Sequence, residues 1–144
     1  KDKLQGDAGN DLLVGGKGRD QLTGGSGSDT LEGGADADRL TGGAGADVFL
    51  FRRAVDTKRG AGRDEITDFR RGDDTIDLTA IDANVERRGD QKFKFIGADH
   101  FSDKAGELRF KSGILSGDTD GDGRADFEIE LAGLSRLGSG DLLL

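Results

Sequence analysis

Along the first fifty residues one apolar position returns every ninth residue, at Leu4, Leu13, Leu22, Leu31, Leu40 and Phe49. An aspartate precedes each by two positions, at Asp2, Asp11, Asp20, Asp29, Asp38 and Asp47. The whole units are GDAGNDLLV, GGKGRDQLT, GGSGSDTLE, GGADADRLT and GGAGADVFL, after half a unit at Lys1–Gln5. No 3.6-residue apolar period is present, and glycine costs about 1 kcal/mol per helical position, so helix is excluded. One inward apolar residue flanked by outward ones predicts a three-residue strand at the end of each unit, with glycine turns between. Two units then form one eighteen-residue coil of a solenoid with leucine stacked on leucine, which needs neighbouring coils and end caps to bury its core.

The pattern changes near residue 50. Thirteen of the 26 glycines precede it, whereas all eight phenylalanines (49, 51, 69, 93, 95, 101, 110 and 127) follow position 48. Alternating or β-rich runs predict strands at Val48–Phe51, Glu65–Phe69, Thr75–Leu78, Lys92–Ile96, Glu107–Phe110 and Asp126–Leu131, with a short helical turn at Thr79–Val85. The expected class is all-β: a parallel β-roll over residues 1–50, closed by an antiparallel β-sandwich cap over residues 51–144.

Composition narrows the chemistry. Cysteine is absent, so disulfides and thiolate sites are excluded. With 29 acidic against 21 basic residues the net charge is −8, which argues against nucleic acid and anionic membranes and for cations. No apolar run approaches the ~20 residues of a membrane-spanning helix, so membrane insertion is not expected. The single histidine, His100, cannot assemble HExxH zinc chemistry, and no Ser-His-Asp arrangement stands out, so no catalytic residue is expected. The chain starts with Lys inside a repeat unit and reads as a fragment of a larger protein, expected to be a monomer.

Units two apart share a side of the solenoid, so Asp11 stacks over Asp29, Asp20 over Asp38 and Asp29 over Asp47, with coils ~4.8 Å apart. Carboxylates at that spacing repel by roughly 1 kcal/mol even in bulk water. A cation between coils reverses the sign. Turn carbonyls add further oxygens, which suits Ca²⁺ better than the strictly octahedral Mg²⁺, and the nitrogen or sulfur ligands of transition metals are missing. The unit is identified as G-G-x-G-x-D-x-U-x, the calcium nonapeptide of the RTX (repeat-in-toxin) family. The resemblance implies several Ca²⁺ ions held by Asp11, Asp20, Asp29, Asp38 and Asp47. It also implicates the turns Gly15, Gly16, Lys17, Gly18; Gly24, Gly25, Ser26, Gly27; Gly33, Gly34, Ala35; and Gly42, Gly43, Ala44, Gly45. Asp7 and Asp36 replace glycines of the pattern, and the Asp36 turn is expected to be strained or its site weaker.

"GGAGADVFLF", "DEITDFRRGDDTIDL", "AGELRF" and "GDGRADFEIEL" resemble the carboxy-terminal domain of serralysin-type secreted metalloproteases across essentially the whole chain. That resemblance adds Asp56, at the nine-residue spacing beyond Asp47, then Asp64 and Asp74, as ligands of further calcium sites, with Asp68 and Asp77 close enough to be confused with them. Each of these is otherwise a solvated loop or strand-end aspartate. "GDTDGDGRAD" resembles the start of a DxDxDG calcium loop through Asp118, Asp120 and Asp122, but Ile129 stands where the closing Glu belongs; Asp126 could substitute, or the segment is a hairpin turn. The ending "GSGDLLL" resembles the signal read by type I secretion systems, or forms a last edge strand. The resemblances imply a secreted, non-catalytic module attached to an amino-terminal catalytic domain, with the type I secretion apparatus as partner. It would stay unfolded where calcium is scarce and fold outside the cell. The alternative is an alginate-binding R-module like those of mannuronan epimerases. Ice binding would need a regular outward threonine array, which Gln21, Thr23, Thr30, Glu32, Arg39 and Thr41 do not make.

Overall fold

The computed structural model describes residues 1–144. Strands β1 (Lys3–Ala8), β2 (Leu12–Lys17), β3 (Gln21–Ser26), β4 (Thr30–Ala35), β5 (Arg39–Ala44) and β6 (Val48–Leu50) follow the nonapeptide units. The rest are β7 (Asp64–Ile66), β8 (Thr75–Asp77), β9 (Lys94–Phe95), β10 (Glu107–Lys111), β11 (Ile114–Asp118), β12 (Phe127–Leu131) and β13 (Leu142–Leu143). Odd and even repeat strands separate into two parallel sheets. One runs β1-β3-β5-β7-β12-β11-β10-β9 and the other β13-β8-β6-β4-β2. The register is the eighteen-residue step, Leu4 beside Leu22 beside Leu40 in one sheet and Leu13 beside Leu31 beside Phe49 in the other. Leu22, Leu31, Leu40 and Phe49 are fully buried between the sheets.

Repeat strands β2 to β5 are six residues long, twice the expected length, because each extends through both glycines of the next unit. Glycine pairs with glycine across the ladder, Gly16 with Gly34 and Gly25 with Gly43. The missing side chains let neighbouring backbones close in, and the second glycine bends the strand at positive φ, +118° at Gly25.

Both sheets cross the compositional boundary at residue 50 without a break. Strand β7 adds in parallel to β5, with Leu40 beside Ile66, and β8 adds in parallel to β6, with Phe49 beside Ile76. The antiparallel part of the cap is confined to β10-β11-β12, and β12 joins β7 in parallel. The leucine stack passes directly into Ile66, Ile76, Leu108, Leu115, Phe127, Ile129 and Leu131, one continuous core. Phe93 packs edge-on against Phe127 at 5.7 Å, adding to that core the aromatic area the repeats lack. Two expectations are corrected. Thr79–Val85 forms turns and bends, not helix, because Asp77 bonds the backbone and hydroxyl of Thr79 and gives the chain a turn in place of helical bonds. The strand expected at Lys92–Ile96 is reduced to Lys94–Phe95.

Candidate metal centre

Each repeat aspartate sits immediately before its strand; Asp20, Asp29, Asp38 and Asp47 are buried, Asp11 is half-buried and Asp2 is exposed. One carboxylate oxygen, Oδ1, accepts the backbone N–H of the aspartate one coil earlier: Asp2 to Asp20 (2.6 Å), Asp11 to Asp29 (2.8 Å), Asp20 to Asp38 (2.7 Å) and Asp29 to Asp47 (2.9 Å). The aspartates therefore form two columns, one along each edge of the roll. Beyond the repeats, Asp38 N–H donates to Asp64 (2.8 Å) and Asp47 N–H to Asp74 (3.1 Å). Asp64 thus extends the column of Asp2, Asp20 and Asp38, and Asp74 that of Asp11, Asp29 and Asp47.

The second oxygen, Oδ2, is different. In Asp11, Asp20, Asp29, Asp38, Asp47 and Asp64 it is buried and meets no hydrogen-bond donor. An unpartnered buried carboxylate oxygen costs several times what a typical hydrogen bond returns. Beside Asp11, Asp20 and Asp29 lie the first glycine of a unit and a carbonyl from the next coil, and beside Asp38 and Asp47 lies the first glycine of a unit. A methyl carbon at Gly6 would fall 2.6 Å from both Asp11 Oδ2 and Gly24 O, and one at Gly15 would fall 2.5 Å from Gly33 O and 2.9 Å from Asp20 Oδ2. Gly24 faces Asp29 Oδ2 and Gly42 O in the same way. Carboxylate and carbonyl oxygens converging on a cradle that only glycine leaves open fit a hard, oxygen-seeking cation such as Ca²⁺. The carbonyls of Ser26, Ala35 and Ala44 accept N–H bonds from Gly9, Gly18 and Gly27, which ties successive turns together beside the columns.

The electrostatics agree with this reading of the donor set. Burial, aided by the charges of Asp38 and Asp56 and opposed by N–H and hydroxyl bonds, pushes the Asp64 carboxyl up to about 8. Burial together with Asp20, Asp36 and Asp56 pushes Asp38 up to about 6. Asp47 and Asp74 are raised for the same leading reason, desolvation. Without a cation, these sites hold ionised carboxylates poorly.

The post-repeat aspartates differ among themselves. The nine-residue spacing does not carry through Asp56: Asp64 takes the next place in the column, because the 51–63 connection loops out before β7. Asp56 is buried beside Asp38 and Asp64 and grips Arg53 with both oxygens, at 2.6 and 3.1 Å. Asp74 has no orphan oxygen, since its Oδ2 accepts Arg70 N–H at 2.7 Å. Asp68 receives Gly42 and Gly43 N–H on its two oxygens, both at 2.9 Å, and so ends the bent half of β5. Sequence reasoning missed Thr57, fully buried, whose hydroxyl accepts Asp64 N–H at 3.0 Å where another aspartate would otherwise stand. Its position in a loop without repeat spacing left no signal. Asp36 adopts φ +80° with its carboxylate 3.7 Å from Lys58 Nζ, and Asp7 adopts φ +69°; both turns keep the geometry of the glycines they replace.

In the β11–β12 hairpin, oxygens of Asp118, Asp120 and Asp126 lie within 4.8 Å of one another, while Asp122 is not among them. Asp118 is fully buried and bonds Gly121 and Gly123 N–H, and Asp126 bonds Thr119. The backbone already satisfies this cluster, unlike the repeat columns.

The family model described as Peptidase M10 serralysin C terminal matches residues 4–144. No curated protein matches the chain. Two solution structures of subunits of the Azotobacter vinelandii mannuronan C5-epimerase share the fold. AlgE6R2 superposes with a TM-score of 0.62 at 32% identity, covering 99% of this chain and 86% of that one. AlgE6R3 does so at 0.58 and 25%, covering 96% and 79%. No helix is long and apolar enough to cross a membrane.

Proposed function

Because the chain belongs to the serralysin C-terminal family of the M10 peptidases, we propose that it is a non-catalytic module of a secreted enzyme, a metalloprotease by family, whose folding is driven by calcium. The observation that carries this is the row of buried Oδ2 atoms without donors at Asp11, Asp20, Asp29, Asp38, Asp47 and Asp64. Bound Ca²⁺ supplies the positive charge that lets carboxylates of successive coils lie within one column. Without it, burial and mutual repulsion oppose the folded form, and a glycine-rich chain gains much entropy by staying open. The unfolded form is threadable through a type I export channel in a calcium-poor cytosol, and millimolar calcium outside converts binding free energy into folding free energy. Calcium titrated into chelator-treated protein is expected to bring a cooperative rise of the β signal in circular dichroism. An unchanged spectrum would sink the proposal.

A groove favours a second function beside the first. About 470 Å³ in volume, it runs over the Asp20–Asp38 turns and is lined by Lys1, Arg19, Arg39 and Arg63 and by Asp20, Asp38, Glu65 and Glu130; Arg39 and Arg63 are paired with glutamates, whereas Arg19 meets no carboxylate. With cations in the column below, the groove presents net positive charge to an acidic polysaccharide, the substrate class of an epimerase R-module. Calorimetric titration with alginate in calcium should show binding that Arg19→Ala weakens several-fold; no heat with the wild-type chain rules it out.

A further inference from the structure

The turn between β11 and β12 holds chemistry that the aspartate columns do not use. It contains the chain's two Asp–Gly bonds, Asp120–Gly121 and Asp122–Gly123, and the sequence has no Asn–Gly bond. An Asp–Gly bond is labile because no β-carbon shields the glycine nitrogen from the preceding side chain. That nitrogen attacks Cγ of the aspartic acid: an N–C bond forms, the side-chain hydroxyl leaves with the amide proton as water, and a five-membered succinimide results. Water then reopens the ring. Cleavage at the side-chain carbonyl returns aspartate, whereas cleavage at the main-chain carbonyl gives isoaspartate, with one extra carbon in the backbone. The sum is an isomerisation that needs no co-reactant.

Both electrophiles are poised. Asp120 and Asp122 are exposed, and each folds its carboxylate back across the glycine that follows: Asp120 Oδ1 accepts Asp122 N–H at 3.0 Å, and Asp122 Oδ1 accepts Arg124 N–H at 2.8 Å. The nucleophiles, in contrast, are engaged. Asp118, the fully buried last residue of β11, accepts Gly121 N–H on Oδ1 at 2.6 Å and Gly123 N–H on Oδ2 at 3.0 Å. One carboxylate thus occupies both reactive nitrogens. Asp118 is itself fixed in the ladder, paired with Glu107 and accepting Gly106 N–H on its carbonyl at 2.7 Å. Neither glycine can be traded for a safer residue. Both have positive φ, +79° and +78°; a β-carbon on Gly121 would lie 2.7 Å from Ala105 N, and one on Gly123 inside contact distance of Asp103 Oδ1.

We propose that the β11–β12 turn is a site of isoaspartyl modification at Asp120 and Asp122, and that Asp118 holds the reaction off in the folded chain by keeping both glycine N–H groups engaged. Because the turn demands glycine at both places, protection comes from a neighbouring side chain and not from a different sequence. When the bonds to Asp118 open, the two sites react. The added backbone carbon then lengthens a turn whose ends are fixed by the β11–β12 ladder, so modification frays the cap hairpin. None of this depends on the cation columns.

Ageing the 144-residue chain in calcium at mildly acidic pH tests it, with isoaspartate counted by enzymatic carboxyl methylation, located by electron-transfer mass spectrometry, and the fold followed by circular dichroism. In the folded wild type, isoaspartate at Asp120 and Asp122 should form at least tenfold more slowly than in the same chain held unfolded in guanidinium, since a charge-assisted bond to a buried acid is worth roughly tenfold or more in local opening. Asp118→Ala, with its β spectrum unchanged, should raise the rate at both positions. Asp118→Asn should raise it at one of them, because an amide offers a single acceptor oxygen. Unchanged rates in the folded variants overturn the proposal. So do lower rates, which would make Asp118 the base that drives the reaction and not its restraint. Should both variants unfold, the wild type decides: equal rates at Asp120 and Asp122 in the folded and unfolded chain overturn the proposal, and the tenfold gap upholds it.

Discussion

Gly24→Ala is expected to remove calcium-driven folding of the roll at millimolar calcium, whereas Gly16→Ala, in the preceding unit, is expected only to shift it. Gly24 does not have positive φ, so alanine is not excluded by its backbone. What excludes it is space: the new carbon would lie inside contact distance of Asp29 Oδ2, 2.6 Å from Gly42 O and 2.9 Å from Asp29 Cβ. None of these can retreat cheaply, because Asp29 is buried and Gly42 lies in β5 with its N–H bonded to Asp68. Overpacking of this kind costs about 1–3 kcal/mol in an ordinary core, and here it also fills the cradle between a carboxylate and a carbonyl. Gly16 presents the opposite case, positive φ (+94°) with nothing within 4 Å of the added carbon. Its cost is left-handed strain alone, about 1–2 kcal/mol. Calcium titrations followed by circular dichroism should give Gly16→Ala a raised midpoint and Gly24→Ala no transition in the same range. Equal midpoints would mean that the cradle has no part in cation binding.

The contrast between those glycines also shows what could be read from residue order. The leucine and aspartate periods place both sheets, their eighteen-residue register and the stacking of Asp11 on Asp29, because a solenoid repeats its contacts as its sequence repeats. The length of the strands was not readable that way: glycine has low strand propensity, and only the neighbouring coil shows that Gly25 and Gly43 sit side by side in a ladder. The end of the columns was legible by residue type but not by place. Counting nines leads to Asp56, whereas the loop before β7 displaces the count and the hydrogen bond from Asp38 falls on Asp64. Thr57, whose hydroxyl donates to Glu128 O, and the Arg71–Asp141 pair were invisible for a similar reason: each joins residues far apart in the chain, and no local pattern marks either partner. The antiparallel strands β10 and β12 were recoverable from alternation, whereas β11, Ile114–Asp118, was not among the expected strands, and the fusion of this part to the repeat sheet through β7 and β12 is a tertiary choice, made by the matching of Ile66 with Leu131.

Acidification in chelator should produce β structure that neutral pH does not. Asp38 and Asp64 have folded-state values of about 6 and about 8 against 3.8 for the free carboxyl. A raised value means that the folded chain binds the proton more tightly than the unfolded one. Their contribution to stability is therefore full below pH 4 and is lost as pH rises, first through about 6 and then through about 8. The metal-free β signal should follow that course, with each proton worth about 1.4 kcal/mol per pH unit in its window. Asp64→Asn separates the two causes of the loss. An amide carries no charge to desolvate, so the metal-free variant should be more stable at pH 7.5 and should lose the part of the pH dependence between about 6 and 8 that belongs to Asp64. In calcium the same change should be destabilising, raising the midpoint several-fold, because one charged oxygen has left the column. If Asp64 were only a buried acid with no cation to hold, the substitution would stabilise the chain under both conditions. A change of sign between chelator and calcium identifies its orphan oxygen as a ligand.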